Sequence, residues 1–311
     1  MKVVVIGGTG HVGTFLIPRL VNEGHQVTVI SRQQHRPYVA NDAWQKVQWV
    51  NLDRVKLEKE GTFGQTVANM SPDAVIDMIC FDLESARHLV EALFDRVQHF
   101  LHCGTLWVHG YKIEAPSKES HPRRPIGDYG IKKAAIEDYL LNQVDQRRLP
   151  VTIVHPGHIV GPGWTPLNPQ GNFNREVYSR LANGEEILMP NFGLETLHHV
   201  HASDVAAGFT QALNNKPRAT GQSFHVLSNT ALTWRGYAEA ISESYNKKAN
   251  LRFLPWDEFR NSLSEADASC TWDHLIHSSI GSIEKARQLI GYEPQYTSLA
   301  AIQESLRSIG L

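Results

Sequence analysis

The sequence predicts an α/β chain: a doubly wound parallel sheet with a smaller C-terminal unit set on it. Three observations carry this expectation. The chain opens with a β-branched apolar run that passes through closely spaced glycines into a helical pattern. Strand-like and helix-like stretches then alternate through the first half, and repeated βα units give right-handed crossovers and a parallel sheet. After His155 the alternation dissolves into a loop rich in proline and glycine, from Pro156 to Pro169, which marks the start of a different unit.

The elements follow in order. Residues 1–6 form a continuous apolar run suited to a strand buried on both faces. Gly7, Gly8, Thr9, Gly10, His11, Val12 and Gly13 make a tight turn, and residues 14–21 have helical spacing. A strand, a glycine turn and a helix in that order aim backbone N–H groups and a helix N-terminus at a pyrophosphate. Further strands are expected at 26–31, 46–50, 73–79, 99–103 and 151–155, with helices at 84–97 and 128–144. Stretches near 197–210 and 222–227 resemble a return to the sheet. The expected division is a nucleotide-binding unit of 1–165 plus about 196–229, and a substrate-binding cap of about 166–195 plus 230–311.

Composition narrows the partners. The 311 residues are 41% apolar with a net charge of −2, so no bulk electrostatic attraction to nucleic acid or an anionic membrane is expected. No apolar stretch approaches the ~20 residues that span a bilayer. The N-terminus reads as the first core strand, which argues against a cleaved signal. Cys80, Cys103 and Cys270 are odd in number, so free thiols in a reducing, cytoplasmic setting are expected.

A second constellation lies at Tyr129 and Lys133, four residues apart on a predicted helix and so on one face. A free tyrosine titrates near pH ~10 and is a poor base at neutrality. A neighbouring ammonium and a cationic nicotinamide ring both favour the phenolate. Lowering its pKa by about 3 needs about 4 kcal/mol of differential stabilisation. Sixteen histidines raise the question of a metal, with His198, His199 and His201 clustered. There is no HExxH and no Cys/His array, and no metal is expected.

These motifs resemble the extended short-chain dehydrogenase/reductases, the group of NAD(P)-dependent nucleotide-sugar epimerases and dehydratases. The N-terminal turn has their GxxGxxG form, and Pro125 to Glu137 resembles their P-x-x-x-Y-G-x-x-K-x-x-x-E segment. The resemblance implies a Rossmann sheet with a substrate-binding cap, and Tyr129 as acid/base assisted by Lys133. Gly104 to Gly110 stands where the family has S-S-x-x-V-Y-G, so Thr105 falls on the catalytic hydroxyl, Trp107 projects toward substrate and His109 replaces a tyrosine. Leu106 and Trp107 occupy the place of the dehydratases' Asp-Glu pair, which disfavours dehydration. The resemblance places Gly7, Thr9, Gly10, His11, Val12 and Gly13 at the cofactor's phosphates, and Leu52 and Asp53 at its adenine. Ile79 and Cys80 then fall beside the ribose and His155 at the end of the sixth strand. Ser31 and Arg32 stand where an acidic residue would select NAD. A hydroxyl and a guanidinium suit a 2′-phosphate, so NADP is expected, with NAD left open.

Two departures bear on substrate. His155 and Leu197 stand where the family commonly carries arginines, and the second of these helps neutralise a substrate diphosphate. His158 and Asn172 or Asn174 are candidates to hold a polar substrate, and Arg175, Arg180 and Arg252 to supply charge from the cap. The expected activity is oxidoreduction or epimerisation at a secondary alcohol or its ketone, with a sugar or nucleotide sugar as a candidate substrate. The competing expectation is a non-catalytic nucleotide sensor or RNA-binding protein like the chloroplast stem-loop group, using a patch at Arg123, Arg124 and Lys132. The resemblance also implies a homodimer through helices 84–97 and 128–144, with Leu89, Leu93, Phe94, Ile136, Leu140 and Leu141 supplying apolar surface.

Overall fold

In the computed structural model, which describes residues 1–32 and 34–311, the expected sheet forms. The strands in chain order are β1 (Lys2–Ile6), β2 (Gln26–Ser31), β3 (Gln48–Asn51), β4 (Ala74–Asp77), β5 (His99–Cys103), β6 (Val151–Pro156), β7 (His158–Val160), β8 (Glu186–Pro190), β9 (Thr196–Leu197), β10 (His199–His201), β11 (Gln222–Val226), β12 (Leu232–Thr233) and β13 (Asn250–Leu254). Seven of them make one sheet in the order β11-β6-β5-β4-β1-β2-β3, and every pairing in it is parallel. The order reverses between β1 and β4, and such a switch point opens a crevice at the strands' carboxyl ends.

The helices are α1 (His11–Asn22), α2 (Arg54–Lys59), α3 (Phe63–Ala68), α4 (Leu83–Leu93), α5 (Gly127–Asp145), α6 (Glu176–Asn183), α7 (Ala202–Asn214), α8 (Lys216–Ala219), α9 (Trp234–Ser244), α10 (Trp256–Phe259), α11 (Glu265–His277), α12 (Glu284–Ile290) and α13 (Ser298–Ser308). The alternation of β1 sorts them into layers. Val3 and Val5 point into a core with Leu16, Ile17 and Leu20 of α1 and Phe209 and Ala212 of α7. Val4 and Ile6 point the other way, to Phe63 of α3, Leu89 and Leu93 of α4, and Ile136 and Leu140 of α5. A third core joins Val160 and Leu197 to Tyr178, Ile187, Trp234, Tyr237 and Ile302.

Several boundaries differ from the expectation for physical reasons. β3 runs one to two residues later. The strand expected over 73–79 stops at Asp77, whose carboxylate takes the buried Arg54 guanidinium at 2.9 and 3.0 Å; the chain then turns outward and exposes Ile79 and Phe81. α4 ends at Leu93, and Asp95 follows with φ 56°. Residues 197–210 do not rejoin the sheet. β10 pairs with β7 in a separate ladder, and His201 caps the alanine-rich α7 by accepting from the Ser203 N–H. α12, expected within the cap, packs Ala286 and Ile290 into the first core. Among the apolar positions expected at a dimer face, Leu89, Leu93, Ile136 and Leu140 are buried in this chain's own second core, with Phe94 and Leu141 packed against it. The three cysteines are free thiols. No described helix is long and apolar enough to cross a membrane.

Candidate active site

A cleft of about 500 Å³ opens at the carboxyl ends of β1, β4, β5 and β6. Its floor is the glycine turn. Gly7 has φ 82°, a left-handed conformation that glycine adopts without strain. A Cβ on Gly13 would lie 2.0 Å from the Gly8 carbonyl oxygen, so α1 can sit this close to the turn only with glycine there. α1 begins without a side-chain cap and with no acidic residue in its first turn. Its first hydrogen-bonded amide is Thr14, donating to the Gly10 carbonyl at 3.0 Å, which leaves the N–H groups of His11, Val12 and Gly13 without helical acceptors. That donor set and that close turn fit a pyrophosphate.

The opposite wall comes from β5 and α5. Lys133 and Tyr129 share a helix face, with Nζ 6.0 Å from the phenol ring centre. The lysine stem is buried, and its ammonium donates to the Cys80 and Cys103 carbonyls at 2.7 and 2.8 Å. Thr105 accepts from the Trp107 N–H at 3.3 Å. The phenol is pushed up to about 12, by burial first and by the Cys103 thiol next, with the nearby Thr105 hydroxyl opposing. The sequence suggested a lowered phenol. In the chain alone the Lys133 charge is shared with two carbonyls, and burial prevails. Lys133 itself is held below the ordinary lysine range, chiefly by burial.

Of the residues expected at the site, Gly7, Gly10, His11, Val12, Gly13, Ile79, Thr105, Trp107, Tyr129, Lys133 and His158 line the cleft. Ser31 ends β2 and is buried, and Arg32 follows it and is exposed. Thr9 is half-buried in the turn, Leu52 packs on the second core, and Asp53 caps α2 by accepting from the Lys56 N–H at 3.1 Å. Cys80 is buried and enters through its carbonyl. Four candidates lie elsewhere. His155 is buried and donates to Glu137 Oε2 at 2.7 Å. His109 is buried against His225, Nε2 to Nε2 at 2.9 Å. Asn172 is fully buried, accepts from Asn168 at 2.6 Å and donates to Thr271 at 3.1 Å, so it braces a loop. Asn174 caps the start of α6 by accepting from the Glu176 N–H.

Sequence reasoning missed Phe81, Trp164, Phe173 and His274, which also line the cleft. Trp164 stacks on His11 at 4.8 Å, and Trp107 stacks on His277 of α11 at 3.9 Å. Phe81 had a signal, since it follows the end of a central strand; the others come from a loop and a distant helix that no local pattern ties to the cleft. The cap arginines turn elsewhere: Arg175 to Thr165, Arg180 to the Glu186 carbonyl, Arg252 toward Glu186. Of the suggested basic patch, Arg123 pairs with Glu137 and Asp138, Lys132 with Asp128 at 2.7 Å, and Arg124 lies over the Tyr111 ring. His198, His199 and His201 do not converge. His198 bonds the Ser228 carbonyl, His199 packs edge-on to Tyr237, and His201 stacks on Tyr296.

A family-level sequence profile, described as the NAD dependent epimerase/dehydratase family, matches residues 3–226. The 2'-dehydrokanamycin reductase of Streptomyces kanamyceticus is 25% identical over 279 residues, covering 89% of this chain and 76% of that protein. The chloroplast stem-loop binding protein of 41 kDa b of Arabidopsis thaliana is 24% identical over 316 residues, covering 98% and 78%. Among solved structures, the dTDP-glucose 4,6-dehydratase of Streptomyces venezuelae, determined with NAD and TYD bound, superposes with a TM-score of 0.74 at 18% identity, covering 100% of this chain and 97% of that one.

Proposed function

The chain belongs to the NAD dependent epimerase/dehydratase family, and on that premise we propose that it is an oxidoreductase or epimerase that interconverts a secondary alcohol and its ketone. NADP is the proposed cofactor and Tyr129 the proposed acid/base. The observation that carries this reading is the Thr105–Tyr129–Lys133 arrangement facing the glycine turn across one cleft.

A bound nicotinamide would supply the hydride acceptor or donor. The N–H groups of His11, Val12 and Gly13 would hold its pyrophosphate, and Ser31 with Arg32 its 2′-phosphate. Thr105 would align the substrate oxygen by hydrogen bonding, and Tyr129 would take its proton in oxidation and return one in reduction. Lys133, fixed by two carbonyls, places a positive charge beneath the phenol that favours its ionised form. Trp107, Phe81, Phe173 and Trp164 limit water at the reacting centre.

The lining also bears on substrate. Lys133 is the one lysine or arginine among the described lining residues, and burial holds the His158 and His274 rings below the ordinary imidazole range. A walled, aromatic, nearly uncharged cleft favours an uncharged cyclic alcohol or ketone over a nucleoside diphosphate sugar. The RNA-binding alternative finds less support, because its suggested cations already have partners within the chain.

The test is Tyr129→Phe assayed with NADPH against panels of uncharged ketones and nucleotide sugars. Turnover is expected to fall by about 10³-fold, while NADPH affinity stays within about twofold. Turnover retained in the variant would overturn the acid–base role.

A further inference from the structure

Behind the cleft, three imidazoles from three elements meet in the interior. His109 closes the 3₁₀ turn Leu106–His109 that follows Thr105, His155 lies on β6 and His225 on β11. All three are buried, and one ring nitrogen from each lies within 4.8 Å of the other two. We propose that these three histidines bind a divalent transition-metal ion of the kind that prefers imidazole ligands, with zinc as the probe. The proposal stands independently of the reading of the cleft.

The outer edges of two rings are already held. His155 Nε2 donates to Glu137 Oε2 at 2.7 Å, and His225 Nδ1 donates to the Ser282 carbonyl at 3.1 Å. A carboxylate or carbonyl behind an imidazole fixes its tautomer and aims the opposite nitrogen at a metal. Glu137 is itself positioned by the Ser223 hydroxyl at 2.6 Å and by Arg123 at 3.3 Å. With its hydrogen committed to Ser282, a neutral His225 presents a lone pair at Nε2, which accepts the His109 Nε2–H at 2.9 Å; an ion there would take that hydrogen's place, with His109 carrying its hydrogen on Nδ1, a buried atom with no hydrogen-bond partner among the described residues. With His155 Nε2 turned to Glu137, its Nδ1 is a buried atom with no hydrogen-bond partner among the described residues.

The spacing is near what an ion requires. Tetrahedral zinc with Zn–N bonds of about 2.0–2.1 Å sets its nitrogen ligands about 3.3 Å apart. The nearest pair here is 2.9 Å apart and no pair exceeds 4.8 Å. Ring rotations and small backbone shifts bridge those differences. The charge is also suited, since Glu137 carries a carboxylate against His155, and Glu119 places a second by accepting the His225 N–H at 2.8 Å. His109 borders a separate cavity of about 130 Å³ with Lys112, Ser117 and His121, the side from which an ion would approach. The sequence did not reveal this set, because its members sit on separate elements with no motif spacing.

The experiment uses the tag-free full chain, stripped with chelator and titrated with Zn²⁺ alone and Co²⁺ alone. One equivalent should bind and survive gel filtration, the melting temperature should rise, and cobalt should show the intense visible bands of a tetrahedral site. His109→Gln and His225→Asn should each weaken binding by at least about 100-fold, while His274→Asn should leave it unchanged. Binding that survives both ligand substitutions would overturn the proposal. So would the absence of tetrahedral cobalt bands in the unsubstituted chain, a result that does not depend on whether any variant folds.

Discussion

Tyr129, Lys133 and Glu137 stand four residues apart along one stripe of α5, yet they serve two different environments. At the cleft end, Tyr129 is 42% exposed as a whole residue, while its phenol group is enclosed within the cleft. At the interior end, Glu137 is 3% exposed and is met by His155, Ser223 and Arg123. Burial is the largest single influence on both groups and disfavours both charges. The outcomes are opposite. Tyr129 is pushed up to about 12, whereas the partners of Glu137 together outweigh burial and bring it down to about 2. Partners supplied by the fold decide which buried group keeps its charge. The cleft group lacks enough of them, so it stays a protonated phenol.

Lys133 joins the two environments, and removing it is the most severe way to probe the contrast. Lys133→Met leaves the Cys80 and Cys103 carbonyls unpaired in the interior, each at a cost of about 1–3 kcal/mol. Turnover should fall by about 10²–10³-fold, and the melting temperature should drop as well. A melting temperature equal to the parent's would show that the two carbonyl bonds contribute nothing to the fold.

The interior side can be probed by acid. Burial holds His99 at about 4 and His199 at about 3, both below their unfolded value of 6.5. The unfolded chain therefore binds more protons in the interval, and stability is lost as pH falls below about 6.5 toward the folded values. Each group contributes up to about 1.4 kcal/mol per pH unit. Between pH 7 and 5 the melting temperature should fall by about 6 °C. A flat melting profile across that range would mean these rings are not buried as neutral imidazoles.

The smallest effect is expected at the cofactor's far end. Arg32 is exposed, and an exposed cation on a phosphate contributes modestly. Arg32→Ala should raise the KM for NADPH by about tenfold and leave that for NADH unchanged. Equal effects on both would remove Arg32 from 2′-phosphate recognition.

The nucleotide-binding half was legible because its signals are local. A β-branched run, a glycine turn and a four-residue helical spacing each carry their meaning within a few residues, and β1, α1, β5 and α5 fall close to where those patterns put them. What the sequence hid was decided by distant partners. β4 stops at Asp77 because Arg54 pairs with it, and the cleft's far wall includes His274 from a helix late in the chain. Asn172 carried no sign that Asn168 and Thr271 would occupy its amide. The residue types for an imidazole cluster were visible, but their meeting point depends on β6 and β11 becoming neighbours in the sheet.

The way α12 is placed has a consequence for how this chain can be cut. After supplying Trp234, Tyr237 and Ile241 to the third core, the backbone returns to wedge Ile283, Ala286, Ile290 and Tyr292 beneath the sheet, and the Tyr292 hydroxyl ties to the Leu227 carbonyl at 2.9 Å. A fragment ending near residue 230 would therefore lack part of its own hydrophobic floor. The first and third cores draw on interleaved stretches of chain rather than on segments in tandem, so a single incision does not separate one from the other.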